Sequence, residues 1–285
     1  MNDMNYLKYC INYLTKVNHI NSLIMKEDFY TFRGLMNITK PYNLSDEYYA
    51  YQDIVIKEEL AKKNIIDVDS LEYKNHLAIF KGDITTLKAD AIVNACNSEL
   101  LGCFSPNHSC IDNAIHSYAG LQVRRDLMEI MEKQGHEEEN GKCKVTKGYC
   151  LFSKYIFHTV GPIVYDKLTL KNKEDLKSCY TSCLKTADEM GLKSIVFCCI
   201  STGVYGFPKL EACKIAINTC KEYLLNHKDT SIDKIIFNVF GMEDYEYYTS
   251  NIDWINKWCR CNMYWRRCRT FFLGRIWIRW KNLLW

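Results

Sequence analysis

Long apolar runs, a recognisable export signal and tryptophan in the body of the chain are all missing from this sequence of 285 residues. No stretch approaches the roughly 18 consecutive apolar residues of a membrane-spanning helix, so we expect no membrane span. Asn, Lys and Tyr interrupt every apolar stretch at the N-terminus, which argues against a secretory signal peptide. The composition is otherwise that of an ordinary soluble globular protein.

Positive charge is scarce in most of the chain and concentrated at its end. The formal net charge is +3, but residues 254–285 carry eight Lys or Arg and no acidic residue. Removing these eight charges from +3 leaves about −5 for the remainder. All six tryptophans also lie in this final segment. A mildly acidic body offers no basic surface for nucleic acid, so no nucleic-acid partner is expected.

Cysteine is abundant, with 15 residues, but the number is odd and the chain has no export signal. A disulfide scaffold is therefore disfavoured, and reduced thiols or a metal site fit better. We expect a cytoplasmic protein.

The N-terminal residues have helical patterns only. Apolar residues at helical spacing predict an amphipathic helix over residues 5–24. Ser45, followed by two acidic residues, predicts the N-cap of a second helix that ends near Lys62. With no strand expected before residue 75, residues 1–72 are predicted to form a helical extension.

Beyond the extension, short β-branched or aromatic runs alternate with helical patterns, which indicates an α/β domain with helices on both faces of a buried sheet. The acidic segment His136–Asn140 is expected to be an exposed loop. The predicted helices cover residues 111–134, 173–190, 208–227 and 243–257. The predicted strands are Leu77–Phe80, Ala91–Asn94, Tyr155–Val160, Ser194–Ile200 and Ile235–Phe240, with a further short one near Tyr149–Phe152.

The segment 259–285 differs in composition from the rest and contains six of the nine arginines. Three interpretations remain open: a basic aromatic helix at a membrane surface, a nucleic-acid-binding tail, or an unselected tail from a shifted reading frame. The functional prediction does not depend on this segment.

Cys103, His108 and Cys110 lie within eight residues, between a predicted strand and a predicted helix. Two thiolates and one imidazole suit Zn²⁺ in softness and geometry. Because only three ligands are apparent, a fourth position would be open to water or substrate, as in catalytic zinc sites. The alternative is that two of the many cysteines happen to flank a surface histidine.

Two turns that follow predicted strands are candidate ligand contacts. Asp83 lies where ligands bind in open α/β folds, and its carboxylate can accept a hydrogen bond from an exocyclic amine such as that of adenine. A helix or turn cap is the alternative for Asp83. The glycines of Ser201–Pro208 let the backbone approach a ligand, and amides at a helix start favour phosphate oxygens. A plain strand-to-helix connection is the alternative for this turn.

Asp112 and His116 are four residues apart, which places both side chains on one face of a helix. Asp112 is a candidate carboxylate for polarising a water molecule, or else an N-cap. His116 and His158 fit packed structural histidines better than catalysts.

Taken in chain order, these segments resemble the macro domain family. The resemblance covers about residues 73–257 and implies a three-layer α/β/α domain with a central mixed sheet, assigned to residues 73–258. The helical extension 1–72 precedes this domain, and the tail 259–285 follows it. The matching segments are Gly82–Thr85, Ala89–Ser98, Ile111–His116 with Ala119 and Gly120, His158–Pro162, and Ile200–Pro208.

The chain departs from most of that family in its substrate loop. A glycine-rich loop is usual there, whereas Gly102–Cys110 contains the Cys and His residues. This replacement, like the helical extension, is similar to the zinc-containing macro domains of bacteria and fungi, often found beside a sirtuin that attaches ADP-ribose to proteins. The resemblance therefore implies Zn²⁺ bound by Cys103, His108 and Cys110. It also implies a sirtuin-type ADP-ribosyltransferase and its carrier-protein target as partners.

The same resemblance implies how ADP-ribose would lie. Asp83 and Ile84 would hold the adenine, with Phe240 stacked against it. Phe207 would line the distal ribose, and Asn97 would contact that ribose beside the scissile bond. Asn97 and Asp112 are the expected catalytic residues, orienting water or substrate. The diphosphate would be surrounded by Ser201, Thr202, Gly203, Val204 and Tyr205.

The implied function is hydrolysis of the bond between C1″ of the distal ribose and an aspartate or glutamate side chain of a modified protein. Zn²⁺ would either supply hydroxide at neutral pH or orient the ribose through its hydroxyls, and both remain open. The leading alternative is a reader that binds ADP-ribose without cleaving it. A second alternative makes the zinc structural and the basic tail the functional part.

Overall fold

The computed structural model describes residues 5–21, 26–40 and 44–252. Three helices come first: α1 (Tyr6–Val17), α2 (Phe29–Ile38) and α3 (Asp46–Ala61). Each begins after a residue whose side chain accepts a hydrogen bond from an amide of the first turn, namely Asn5, Asp28 and Ser45. Such caps satisfy amides that the helix itself leaves unpaired.

The α/β domain follows these helices. Its strands are β1 (Ile66–Asp67), β2 (Leu77–Lys81), β3 (Leu87–Lys88), β4 (Ala91–Cys96), β5 (Lys144–Lys147), β6 (Tyr155–Val160), β7 (Ser194–Phe197) and β8 (Lys234–Val239). Its helices are α4 (Ile111–Ala119), α5 (Leu121–Gln134), α6 (Leu170–Glu189), α7 (Lys209–Asn226) and α8 (Met242–Ile252). Short 3-10 helices occupy Val68–Ser70 and Ile84–Thr86.

The central sheet has six strands in the order β2-β8-β7-β4-β6-β5, and β1 pairs separately with β3. All neighbours in the central sheet are parallel except β5, which runs antiparallel to β6 at the edge. Strand β7 is buried along its whole length and β4 over nearly all of it, as expected for parallel strands covered on both faces. The predicted α/β class with a mixed sheet is thus confirmed.

Connection geometry decides which helices cover which face. From β4 the chain runs through α4, α5 and the edge strand β5 to β6, whereas from β6 and β7 it runs through α6 and α7 in the opposite direction across the sheet. Because parallel crossovers are right-handed, α4 and α5 lie on one face, and α6 and α7 on the other. α8 packs against α7. The direction of connection reverses between β4 and β7, and such a reversal opens a crevice at the carboxyl ends of the strands.

The N-terminal helices form a second apolar core that is continuous with the domain. Its buried members come from α1, α2 and α3, and they include Leu121 and Cys150 of the α/β domain. Arg124 of α5 is 1% exposed and joins the two parts. Its Nη1 donates to the carbonyls of Met36 (3.1 Å), Asn37 (3.0 Å) and Thr39 (2.5 Å) at the C-terminal end of α2.

Several sequence expectations about individual elements need correction. The helix predicted over residues 111–134 is two helices, because Gly120 between them has a φ of +101°. The strand expected near Tyr149–Phe152 is a turn, and the true edge strand is β5. The loop 136–140 is not fully exposed, because the Glu138 carboxylate is buried beside Lys144 at 3.1 Å.

The N-terminal expectations were partly right. The helix capped by Ser45 is confirmed, whereas the first helix is shorter than residues 5–24 and α2 was not predicted. The two-residue strand β1 contradicts the expectation of no strand before residue 75. The tail 259–285 and the end of the helix predicted over 243–257 lie outside the described residues. No described helix is both long and apolar enough to cross a bilayer.

Candidate metal centre and ligand pocket

A cavity of about 600 Å³ opens at the carboxyl ends of four neighbouring strands, β8, β7, β4 and β6. This size is within the range of pockets that hold small organic ligands. The ends of these strands and the residues just after them supply much of its wall: 95–97, Gly161, Cys198, Cys199, 201–205, Asn238, Phe240 and Gly241. The pocket therefore occupies the crevice that the reversal of chain direction creates.

One side of the pocket is formed by Cys103, His108 and Cys110, each half-buried. One ligand atom from each residue, two sulfurs and an imidazole nitrogen, lies within 4.8 Å of the others. Cys103 Sγ is 3.6 Å from His108 Nδ1. Tetrahedral zinc with bonds of about 2.0–2.3 Å separates its ligands by about 3.6–3.8 Å, so the spacing and chemistry of this trio fit a zinc ion.

The start of helix α4 fixes the last of these three residues. Cys110 is the N-cap of α4, and its sulfur accepts a hydrogen bond from the amide of Asn113 at 3.4 Å. Burial raises the pKa of the Cys110 thiol. A nearby cation is therefore what would keep this sulfur as a thiolate at neutral pH.

Asp112 lies two residues further on and faces the same pocket. Its Oδ1 accepts a hydrogen bond of 2.8 Å from Asn94 Nδ2, and no protein group in the described residues donates to its other oxygen. Burial raises the pKa of Asp112 to about 6, opposed by the Asn94 hydrogen bond and the charge of Arg124. Asp112 is mainly ionised at neutral pH and has one oxygen available to a ligand or water.

A series of hydrogen-bonded polar side chains leads from Asp112 into the sheet. Asn94 of β4 also lies 3.2 Å from Nδ1 of His158 on β6, and Nε2 of that histidine is 2.9 Å from the Thr146 hydroxyl on β5. Burial lowers the pKa of His158 to about 3. The neutral imidazole therefore braces the Asn94 amide that orients Asp112, as expected for a structural histidine.

His116 is close to Asp112 but does not form an ion pair with it. The two side chains approach to 3.4 Å. Burial and the charge of Arg124 lower the pKa of His116 well below its ordinary value, so the imidazole is neutral. Neither ring nitrogen of His116 has a hydrogen-bond partner in the described structure.

The turn after β7 lines the same pocket as Cys103, His108 and Cys110 and presents backbone amides to it. Residues 201–205 all line the cavity. The turn is closed by hydrogen bonds from Phe207 N to Ser201 O and from Gly206 N to Gly203 O, both 3.0 Å. The amides of Gly203, Val204 and Tyr205 donate to no acceptor in the described part of the chain. Successive free amides of this kind form a site for phosphate oxygens.

The far end of the pocket is aromatic and polar. Phe240 follows β8 and is 83% exposed, which leaves its ring free to stack on a flat ligand. Asn238 and Asp244 also line this end, and Asp244 Oδ2 is 3.2 Å from Lys209 Nζ.

Most of the predicted site residues converge on this one cavity. Asn97 also lines the cavity. Its side chain donates a hydrogen bond to Gly102 O at 3.3 Å, which connects the end of β4 to the loop that contains Cys103, His108 and Cys110. The predicted residues brought together here are Asn97, Cys103, His108, Cys110, Asp112, Ser201, Thr202, Gly203, Val204, Tyr205 and Phe240.

Three predicted ligand contacts do not reach the cavity wall. Phe207 is 1% exposed, because the turn bond to Ser201 folds its ring into the core. Ile84 is likewise buried in the core. The Asp83 carboxylate caps a 3-10 helix through Thr85 N (2.9 Å) and accepts from Lys63 Nζ (2.7 Å). The capping alternative for Asp83 therefore describes this structure.

The sequence reasoning missed Asn94, Lys209, Asn238 and Asp244. Asn94 and Asn238 sit near the ends of buried strands, where a polar residue is a usable signal for a site. Lys209 and Asp244 begin helices, and nothing local distinguishes them from ordinary surface charges.

This chain is similar to a known protein family and to proteins that bear a functional name. Residues 93–216 match the family model described as Macro domain. A protein of Staphylococcus aureus (strain MRSA252) named Protein-ADP-ribose hydrolase is 44% identical over 250 residues, which cover 85% of this chain and 93% of that protein. A Fusarium oxysporum f. sp. cubense protein named Probable bifunctional ADP-ribose hydrolase/ADP-ribosyltransferase is 44% identical over 179 residues, 60% of this chain and 30% of that protein.

Solved structures give a consistent result. An Oceanobacillus iheyensis macrodomain variant with ADPR is 34% identical, with a TM-score of 0.59, and the match covers 66% of this chain and 98% of that chain. The Trypanosoma brucei macrodomain in complex with ADP-ribose is 31% identical, with the same TM-score of 0.59, over 75% of this chain and 93% of that chain.

Proposed function

This chain belongs to the macro domain family, and from that premise we propose that it is a hydrolase that removes ADP-ribose from modified proteins. The Staphylococcus aureus relative is named for that activity. The Oceanobacillus iheyensis and Trypanosoma brucei structures contain ADP-ribose. For this chain, the proposal depends on what its own pocket can do.

One observation carries the proposal: a ligand set suited to Zn²⁺ and the Asp112 carboxylate share one pocket with a turn of free amides. A reader needs groups that recognise the diphosphate and the adenine, which the turn and Phe240 provide. It has no need of two thiols, an imidazole and an ionised carboxylate facing the remaining space. The pocket is therefore equipped for chemistry as well as binding.

We propose Zn²⁺ as the cofactor and Cys103, His108 and Cys110 as its ligands, since the spacing of their atoms fits tetrahedral coordination. When bound, Zn²⁺ would supply Lewis acidity at the reacting end of the ligand. The proposal does not depend on whether this acts on water or on the ribose hydroxyls.

The chain's own residues would bind and orient the substrate. The amides of residues 203–205 would bind the diphosphate, and Phe240 would stack on the adenine. Asn97, beside the metal-type loop, would contact the distal ribose. The free oxygen of Asp112 would accept a hydrogen bond from a water molecule or a ribose hydroxyl, and Asn94 would fix its direction.

The proposed substrate linkage is an ester to aspartate or glutamate. Their carboxylates have pKa values of about 4, so they leave as anions without a proton from the protein. Cleavage of this linkage therefore needs no general acid at the leaving group, which leaves Asp112 available to act on the water or the ribose. Lys209, another titratable group in the pocket wall, is paired with Glu243 and Asp244.

The test is release of ADP-ribose from a protein modified on aspartate or glutamate, compared between the wild-type protein and Cys103→Ala and His108→Ala. We expect turnover by the wild type and its loss in both folded variants. Binding of ADP-ribose to wild-type protein without any release would support the reader instead. Full activity of either variant without metal would contradict the metal mechanism.

A transferase partner and a compartment belong to the same proposal. The name of the Fusarium relative joins a hydrolase with an ADP-ribosyltransferase, which supports an ADP-ribosyltransferase as a partner of this chain. That this transferase is of the sirtuin type and modifies a carrier protein is part of the proposal. The described cysteines are all free, which supports the cytoplasm. Deleting residues 259–285 tests the remaining alternative, because retained hydrolysis would leave the basic tail without an essential catalytic role.

A further inference from the structure

Helix α2 of the N-terminal extension packs directly against the loop that contains the metal-type residues. Arg33 of α2 donates from Nη2 to Asn113 Oδ1 at 2.7 Å and from Nε to Ser117 Oγ at 3.2 Å. The same Nη2 is 3.5 Å from the carbonyl oxygen of His108. The guanidinium therefore bridges the backbone of His108 and the helix α4 that begins at Cys110.

The residue before His108 is also attached to α2. Asn107 has a φ of +52°, in the left-handed region, which asparagine adopts more readily than other non-glycine residues. Its amide donates to Asn37 Oδ1 at 2.8 Å, and its side-chain Nδ2 donates to the carbonyl of Tyr30 at 3.2 Å. Two bonds to α2 thus stabilise the backbone conformation that turns the next residue, His108, toward the pocket.

The approach of the loop to α2 depends on a glycine. Gly34 follows Arg33 in α2 and lies against Asn107. A Cβ added at Gly34 would be 2.9 Å from Asn107 Nδ2. Glycine within a helix costs about 1 kcal/mol relative to alanine. Helix α2 therefore has a residue that disfavours helix formation at the point where the loop Gly102–Cys110 packs against it.

We propose that Arg33, Gly34 and Asn37 are positioning residues for the metal centre, so that the extension completes the active site although none of the three lines the pocket. The inference rests on the proposed function, and it assigns to α2 the orientation of His108. Outer-shell partners of this kind change metal affinity by about 10- to 100-fold when they are removed.

The test compares Arg33→Gln, Arg33→Lys and Gly34→Ala with a control, Arg125→Gln. Arg125 is the neighbour of Arg124 and contacts Tyr49 and Asp126, away from the loop. Zn²⁺ affinity is measured by competition with a chromogenic chelator, and ligand geometry by the visible absorption of the Co²⁺-substituted protein. Turnover gives kcat and KM separately, and thermal unfolding reports stability.

We expect Arg33→Gln to weaken Zn²⁺ binding by about 10- to 100-fold and to alter the Co²⁺ spectrum, with partial rescue by lysine. Gly34→Ala should weaken Zn²⁺ binding by about three- to tenfold, the equivalent of one hydrogen bond, with no loss of thermal stability because alanine favours the helix. Both should lower kcat more than they raise KM. Arg125→Gln should match the wild type.

Wild-type Zn²⁺ affinity and an unchanged Co²⁺ spectrum in both Arg33→Gln and Gly34→Ala would overturn the positioning role while leaving the proposed function intact. A wild-type protein that binds no Zn²⁺ would overturn the metal centre itself, and the positioning role with it. Gly34→Ala keeps the test decisive if Arg33→Gln does not fold.

Discussion

Acid should destabilise this protein through a histidine that the fold keeps neutral. His158 is fully buried on β6. The Asn94 Nδ2 that contacts its Nδ1 can only donate, so Nδ1 must be the acceptor and the proton must sit on Nε2, facing the Thr146 hydroxyl. A second proton on Nδ1 would point at the Asn94 amide, and this conflict adds to the burial that lowers the pKa of His158 to about 3.

The size and sign of the effect follow from the difference between the two states. The pKa of histidine in the unfolded chain is 6.5, so between about pH 3 and 6.5 the unfolded chain binds one more proton than the folded protein. The free energy of unfolding therefore rises with pH in that window and falls on acidification. At about 1.4 kcal/mol per pH unit, moving from pH 7 to pH 5 should remove about 2 kcal/mol. His116, whose pKa is also lowered, acts in the same direction, whereas Asp112, whose pKa is raised to about 6, acts in the opposite direction, so the contribution of His158 is isolated by comparing variants.

The assay is urea unfolding of metal-free protein at pH 7, 6 and 5, because protonation of metal ligands would otherwise add its own pH dependence. His158→Gln removes the titrating group, and His136→Gln, at an exposed position, is the control. We expect the loss between pH 7 and 5 to be about 2 kcal/mol smaller in His158→Gln than in the wild type, and unchanged in the control. Equal losses in all three proteins would refute the reasoning, whatever their absolute stabilities.

Three further predictions concern the pocket. Phe240→Ala should weaken ADP-ribose binding in calorimetry by about 5- to 150-fold, the worth of about 1–3 kcal/mol of base stacking, and unchanged affinity would place the adenine elsewhere. Asp112→Asn should lower kcat by about 100-fold while ADP-ribose affinity stays within about threefold, and wild-type turnover would remove Asp112 from the mechanism. Gly161→Ala places a Cβ 2.1 Å from Ser201 Oγ and 2.8 Å from Ile200 Cγ2, so the side chains at the start of the amide turn must move. We expect about a tenfold loss of ADP-ribose affinity in titration, and an unaffected variant would show that the turn does not contact the ligand.

The parts of the site that the sequence predicted are those in which the partners are close along the chain. Cys103, His108 and Cys110 lie within eight residues, so their meeting depends on one loop and the start of one helix. The amide turn at 201–205 is similarly local. In each case a strand end and a helix start set the geometry, and both leave recognisable signals in sequence.

Long-range partners could not be predicted in the same way. Asn94, His158 and Thr146 meet because β4, β6 and β5 are neighbours in the sheet, with Asn94 directly opposite His158. That register is a property of the assembled sheet and cannot be read from any one strand. For the same reason the ion pair between Asp83 and Lys63, which joins the domain to the extension, could not be foreseen.

The missed elements have local causes. Strand β5, Lys144–Lys147, has only four residues with a lysine at each end, so its two β-branched residues, Val145 and Thr146, are too short a run to mark a strand in the sequence. Helix α2 is ten residues long and contains Gly34, which weakens its helical pattern. That glycine is explained by its contact with Asn107, which no helical pattern could reveal.

The three carbonyl partners of Arg124 have a practical consequence for anyone who wishes to shorten this protein. Cutting near residue 73 would remove Met36, Asn37 and Thr39, the carbonyl acceptors of Arg124. It would also uncover Leu121 and Cys150, the domain residues that the three helices bury. The loss of these hydrogen bonds and the exposure of apolar surface should lower the free energy of unfolding by several kcal/mol, a large share of the net stability of a domain. The boundary suggested by the family resemblance is therefore not a good place to shorten this protein.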